Sequence, residues 1–267
     1  MKRAGFIWTV AALAGFAILY APLLAVVAGS VNASRLGVSW TGFTLRWYHE
    51  LFANERLWEY VRNTAMLGVC STLIATLIGT MLAVGLDRYP WPRKLRRAID
   101  ASLQIPVVTP DILFAVGLVI AFGALRFLSG VFEPGLFTMI IGHVSFQIAF
   151  VALVVRGRIA VLGEQIEEAA RDLYSSGWDL FRRVTLPLLA PGVLAGAMLA
   201  FTLSLDDFVI SFMTSGPDST TLPIYIYSSV RRGLSPEIHA LSTVLLAATV
   251  VLVLALERLS GRRKISA

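Results

Sequence analysis

Three carboxylates stand where an apolar sequence has least use for them. Asp111 opens DILFAVGLVIAF, and the adjacent Asp206 and Asp207 interrupt LAFTLSLDDFVISFM. An ionisable side chain deep in a spanning helix costs about 2.5–3.5 kcal/mol on insertion scales, so such residues face a cavity, a path or a partner. No lysine or arginine lies well inside any of the apolar runs, and acidic groups alone favour the passage of cations. Tyr225 and Tyr227, in LPIYIYSS, can add cation–π contacts to an ammonium group near an outer mouth. A structural role competes with this one, because carboxylates also cap broken helices and hold helices together. Neighbouring positions on a helix point about 100° apart, so Asp206 and Asp207 cannot share a direction. One can line a path while the other pairs with a nearby helix. The lone His143 reads as a packed polar residue, and Gly192-x-x-x-Gly196 as a close helix contact.

The sequence around these carboxylates is that of a membrane protein. Of 267 residues 57% are hydrophobic and only 15% charged, against roughly 25% charged in soluble domains. The net charge of +6 does not point to nucleic acid, because the basic residues cluster in short loops rather than on one face. Cys70 is the single cysteine, which excludes an internal disulfide or a cysteine-based metal site. There is no GxxxxGK[ST] loop, no HExxH pair and no GxSxG elbow. The chain is therefore not expected to be an enzyme or to bind a cofactor, and its energy must come from a gradient or a partner.

Six apolar runs are long enough to cross a bilayer, which takes about 20 residues. They are 4–34, 63–86, 101–125, 134–155, 188–214 and 240–256. The first is twice the length of a secretory signal core and reads as a span. Trp40, Trp47, Tyr48 and Trp58 in the segment that follows suit a membrane interface, and Thr44–Phe52 suits a short surface helix. The N-terminus, the loop Asp87–Asp100, the segment Arg156–Pro187 and the tail together hold 16 of the 23 Lys and Arg residues. The positive-inside rule puts that set, with both termini, in the cytoplasm.

Arg156–Pro187 is the polar exception, with ten of the forty Lys, Arg, Asp and Glu residues. Ile159, Leu162, Ile166, Ala169 and Leu173 fall on one helical stripe. Ser175-Ser176-Gly177 breaks it, and Ser176 with Asp179 three residues on resembles a cap that starts a second helix, Trp178–Val184. Two cytoplasmic helices with a bend are expected, either a docking surface or an ordinary solvated connector.

The residues at that bend resemble a known pattern. Glu168-Ala169-Ala170, then position 174, then Val184-x-Leu186-Pro187 is similar to the EAA loop of ABC importer permeases. Tyr174 departs from it, standing where the family usually has glycine, and Gly177 nearby can supply the flexibility. The resemblance covers residues 61–257. It implies an all-α membrane protein with six transmembrane helices, the type I ABC importer permease fold, and a cytoplasmic coupling helix. The organisation it implies is an N-terminal helix and periplasmic segment over 1–60, a transmembrane domain over 61–257 with its coupling loop at 156–187, and a tail at 258–267. Glu168, Ala169, Ala170, Tyr174, Gly177, Leu186 and Pro187 would transmit motion from a separate ATPase, which would hold ATP and Mg. The implied partners are a second permease, two ATPase subunits, a periplasmic or extracellular substrate-binding protein and membrane lipid, in a bacterial inner membrane.

A narrower resemblance concerns the cargo. Pro110-Asp111-Ile112, Ser204–Ser211, Ser215-Gly216-Pro217 with Thr221–Ser228, and Ser235–Ser242 together look like the spermidine/putrescine permease branch, in particular the second permease of that system. This implies polyamine import, with Asp111, Asp206, Asp207, Tyr225 and Tyr227 along the substrate pathway. A permease for ferric iron or another small organic cation is the alternative. A stand-alone secondary transporter or channel is the alternative of another class, although no paired internal repeat is visible.

Overall fold

The computed structural model describes residues 2–34, 39–163, 165–172, 176–233 and 235–263; for 2–7, 165–167, 252–253 and 255–263 it describes the backbone alone. The described residues are mostly helical, and among them the sole strand-like pairing is one isolated bridge between Asn32 and Phe43. By contacts the chain falls into two compact units, Glu59–Ile224 and Met1–Trp58 with Tyr225–Ala267.

In the second of these, helices α1 (Lys2–Ser30), α2 (Arg46–Ala53) and α12 (Pro236–Arg263) pack together. Residues 8–24 of α1 are exposed all round, as suits an apolar helix whose surroundings are lipid or another chain. The surface helix expected at 44–52 is α2. Its Trp47 is buried and donates its indole N–H to the Asn32 carbonyl at 2.7 Å.

The other unit is built on α3 (Glu55–Arg88), α6 (Leu136–Leu162) and α9 (Leu186–Asp206). The 34 residues of α3 extend about 50 Å, beyond a hydrocarbon core of roughly 30 Å. Glycines let these helices approach. A Cβ on Gly79 would lie 2.8 Å from Val151 Cβ, and one on Gly196 would lie 3.3 Å from Val151 Cγ1. Val151 is fully buried between them, among Ala83, Ala149, Ala152 and Ala200. Small residues do here what they do in membrane bundles generally, where lipid is as apolar as leucine and close packing must supply the association.

Two expected helices are not continuous. The run 101–125 divides into α4 (Arg93–Val108) and α5 (Asp111–Leu125), bent by 112°. The cause is Pro110, because the residue before a proline is pushed out of the helical region. Thr109 has ψ 130° and Pro110 ψ 133°. Asp111 is therefore not buried mid-way along a straight span; it opens a new helix, where its charge suits the positive end of the dipole. The stripe Ile159–Leu173 divides as well. Helix α6 stops at Leu162, Gly163 takes φ +68°, and α7 (Gln165–Arg171) starts afresh. Leu173 lies outside the described residues.

The short helix α8 (Gly177–Leu180) starts as expected, with the Ser176 hydroxyl accepting the Asp179 N–H at 3.1 Å. It then continues through a widened turn, Phe181–Thr185, into α9. Pro187 explains the widening: its ring lacks an N–H and crowds the carbonyl four residues back, and a wider turn relieves the clash.

Among the described residues, four helices are long and apolar enough to cross a membrane, or five if the bent pair counts as one. The last expected span falls in α12, whose apolar described part, Pro236–Val251, is shorter. If Gly79 is the contact point of α3 and α6, Gly79→Val should cost about 1–3 kcal/mol through overpacking. Thermal unfolding of the detergent-solubilised protein should show the loss, and an unchanged midpoint would refute it.

Candidate functional site

The break between α9 and α10 (Val209–Thr214) creates a polar problem in an apolar setting. A new helix opens with unpaired N–H groups, and hydrocarbon offers them no water. Asp207 solves it. The residue is extended, with ψ 125°, and its carboxylate accepts the Ile210 N–H at 3.2 Å and the Ser211 N–H at 2.8 Å.

His143 of α6 completes the arrangement. Its ring is wholly buried, with Nε2 3.2 Å from the Asp207 carboxylate and 3.0 Å from the Ser211 hydroxyl. Nδ1 lies 2.8 Å from the Ser204 hydroxyl, which lies 3.3 Å from that of Ser71 on α3. A neutral imidazole protonated on Nε2 donates toward Asp207 and accepts from Ser204, so both ring nitrogens are satisfied. The five side chains stitch α3, α6, α9 and α10 together at one level. Sequence reasoning had His143 as packed but missed its partners; the only signal was the placing of Ser204 and Ser211 on either side of the acidic pair.

The neighbouring Asp206, last residue of α9, is exposed. With Asp111 and Asp207 it lines a cavity of about 320 Å³. Phe114, Phe146, Phe150 and Phe208 supply aromatic walls, with Phe114–Phe146 and Phe146–Phe150 edge to face at 6.4 and 6.2 Å. Among the described lining residues there is no lysine or arginine. The volume is at the lower end of ligand pockets, roughly 300–1,000 Å³. Carboxylates with aromatic faces suit an ammonium group carried on a methylene chain.

The structure thus gathers Asp111, Asp206 and Asp207 from points nearly a hundred residues apart in the sequence. Tyr225 and Tyr227 belong to α11 (Leu222–Arg232), in the unit that holds α1 and α12. Of the loop residues, Glu168 and Ala169 are exposed on α7 and Ala170 is buried. Gly177 opens α8, while Leu186 and Pro187 open α9 and are exposed. Tyr174 lies outside the described residues.

Residues 75–263 match the model of the binding-protein-dependent transport system inner membrane component family. The chain belongs to that family. The spermidine/putrescine transport system permease protein PotC of Escherichia coli K12 is 36% identical over 255 residues, 96% of this chain and 92% of that one. The putrescine transport system permease protein PotI of the same organism is 40% identical over 239 residues, 88% and 84% of the two chains. In fold the chain is similar to a chain of the bacterial alginate ABC transporter crystallised with its alginate pentasaccharide-bound periplasmic protein. The TM-score is 0.77 at 16% identity, over 100% of this chain and 97% of that one. Members of this family are inner-membrane components of binding-protein-dependent transport systems. They are not themselves enzymes.

In the permease's buried network, His143→Ala removes the partner of Ser204, Ser211 and Asp207 together. Leaving such groups unsatisfied should destabilise the protein by roughly 1–3 kcal/mol. His143→Gln, which keeps a donor and an acceptor, should recover part of the lost melting temperature; equal losses in both variants would argue against the network.

Proposed function

We propose that this chain is a transmembrane permease subunit of an ATP-driven importer for polyamines such as putrescine and spermidine. The observation that carries the reading is the cavity of Asp111, Asp206 and Asp207 walled by phenylalanines. A polyamine is a flexible apolar chain with ammonium groups at intervals, and carboxylates with aromatic faces complement both parts. The substrates for which the two E. coli relatives are named support the same cargo. Asp206 and Asp111 face the cargo, Asp207 mainly holds the helix break, and Tyr225 and Tyr227 belong to the outer part of the pathway.

Six spans cross the membrane in this reading: α1, α3, the bent pair α4–α5, α6, α9 with α10, and α12. Both termini are cytoplasmic, as the distribution of Lys and Arg supports, and so is the segment 156–187. There α7 serves as the coupling helix. Its exposed Glu168 and Ala169 meet the ATPase, while Ala170, Tyr174, Gly177, Leu186 and Pro187 connect that contact to α9. The chain pairs with a second, different permease, and two ATPase subunits bind ATP and Mg beneath them. A binding protein delivers the polyamine from outside, and nucleotide-driven closure at the coupling helix switches the side to which the cavity opens.

Uptake of radiolabelled putrescine and spermidine by cells or proteoliposomes carrying the full transporter tests this reading. Asp111→Asn and Asp206→Asn should each reduce uptake by about tenfold or more, the equivalent of one lost charge-assisted contact, with the protein still inserted in the membrane. Normal uptake in both would place the pathway elsewhere. Glu168→Lys should abolish the coupling of ATP hydrolysis to uptake without preventing insertion, and wild-type uptake in that variant would count against the loop.

A further inference from the structure

The last turns of α6, just before the proposed coupling segment, carry Arg156-Gly157-Arg158. Positions two apart on a helix point about 200° from each other, so the two guanidinium groups leave opposite faces of α6. Arg156 turns toward α3 and α4. Its Nε donates to both carboxylate oxygens of Asp87 at 3.2 and 3.3 Å, and its Nη1 to Asp100 at 2.7 Å. Arg96 reaches the same Asp87 at 3.2 Å. The Arg156 side chain is only 21% exposed and Asp87 15%. This sets the Arg156–Asp87 pair apart from the exposed ion pairs that usually contribute little. Arg158 turns the other way. Its stem lies against Gly192 so closely that a Cβ there would come within 2.6 Å, and its Nε donates to the Leu188 carbonyl of α9 at 3.1 Å.

Of the gripped helices, α4 and α9 lead to the acidic cavity. Helix α4 ends at Pro106 and Val107 on the cavity wall, and Asp111 follows the break; α9 ends in Asp206. We infer that Arg156 and Arg158 form a strut at the root of the coupling segment. Through it, displacement of that segment carries α4 and α9, and with them Asp111 and Asp206, as one body. They are positioning residues rather than cargo contacts, and the inference rests on the coupling role proposed for 156–187. The planar fork of Arg156 donates to Asp87 from Nε and to Asp100 from Nη1, a spread that the compact ammonium of a lysine does not match.

The test is the complete transporter reconstituted in proteoliposomes, with putrescine uptake and ATP hydrolysis measured on the same preparation. Arg156→Ala should retain ATP hydrolysis while uptake per ATP falls by roughly tenfold, the size expected for loss of a coupling element. Arg156→Lys should fall between that variant and the unmodified protein. Combining Arg156→Asp with Asp100→Arg keeps two carboxylates around one guanidinium and should regain most of the ratio. The inference is overturned if Arg156→Ala keeps the normal ratio, or if uptake and hydrolysis fall in proportion and the charge exchange restores neither. Glu168→Lys is measured alongside. A normal ratio there with a lowered one for Arg156→Ala leaves the strut standing and sinks the coupling loop, whereas normal ratios in both sink the two together.

Discussion

Hydrocarbon supplies no hydrogen bonds, so every peptide group freed inside a membrane must find its partner in protein. Most of this chain meets that constraint with unbroken helix. Where it breaks α9 from α10, the freed N–H groups of Ile210 and Ser211 are taken up by Asp207, which is held in turn by His143. The Asp207 carboxylate thus serves the restart of the chain as a helix cap. The break, in turn, leaves Asp206 at the end of a helix and facing the cavity.

The two interruptions differ in cause and converge in effect. At Thr109–Pro110 the ring of a proline ends the helix, and the chain restarts with Asp111. At Asp206–Asp207 no proline is present, and a carboxylate stabilises the restart instead. Both put an acidic residue at a helix end, where backbone dipoles and side-chain charge meet at close range. A cavity formed by helix ends has more polar reach than one lined by the sides of unbroken helices. It can attract a cation without placing an isolated charge on a lipid-facing surface.

Long-period features of this architecture were legible in the sequence. Uninterrupted apolar runs marked the positions of α1, α3, α6 and α9, and the Ser176–Asp179 cap was readable from two residues. The loop pattern at Glu168–Pro187 and the motif around Asp206 led to the family. Hidden from view was whatever depends on distant pairing. The partners of His143 lie 61 and 68 residues away, and those of Arg156 lie 69 and 56 away. Hydropathy registers Asp111 and Asp207 only as blemishes, because it carries no information about helix direction. The bend at Pro110 escaped for a related reason, since an apolar stretch has the same composition straight or bent. Gly163 likewise split a stripe whose spacing alone looked continuous.

The length of α3 bears on the membrane itself. Its uncharged stretch, residues 63–86, covers about 36 Å, while a typical hydrocarbon layer is roughly 30 Å thick. A surplus of that size is taken up by inclination of the helix or by local swelling of the lipid, at a modest cost per ångström. Since Gly79 on that stretch is seated against Val151, inclination cannot change freely without disturbing α6. Bilayer thickness is thus a mechanical load on the helix that carries Ser71. Acyl-chain length in the host membrane becomes a physical variable of the protein, alongside its charges and its cavity.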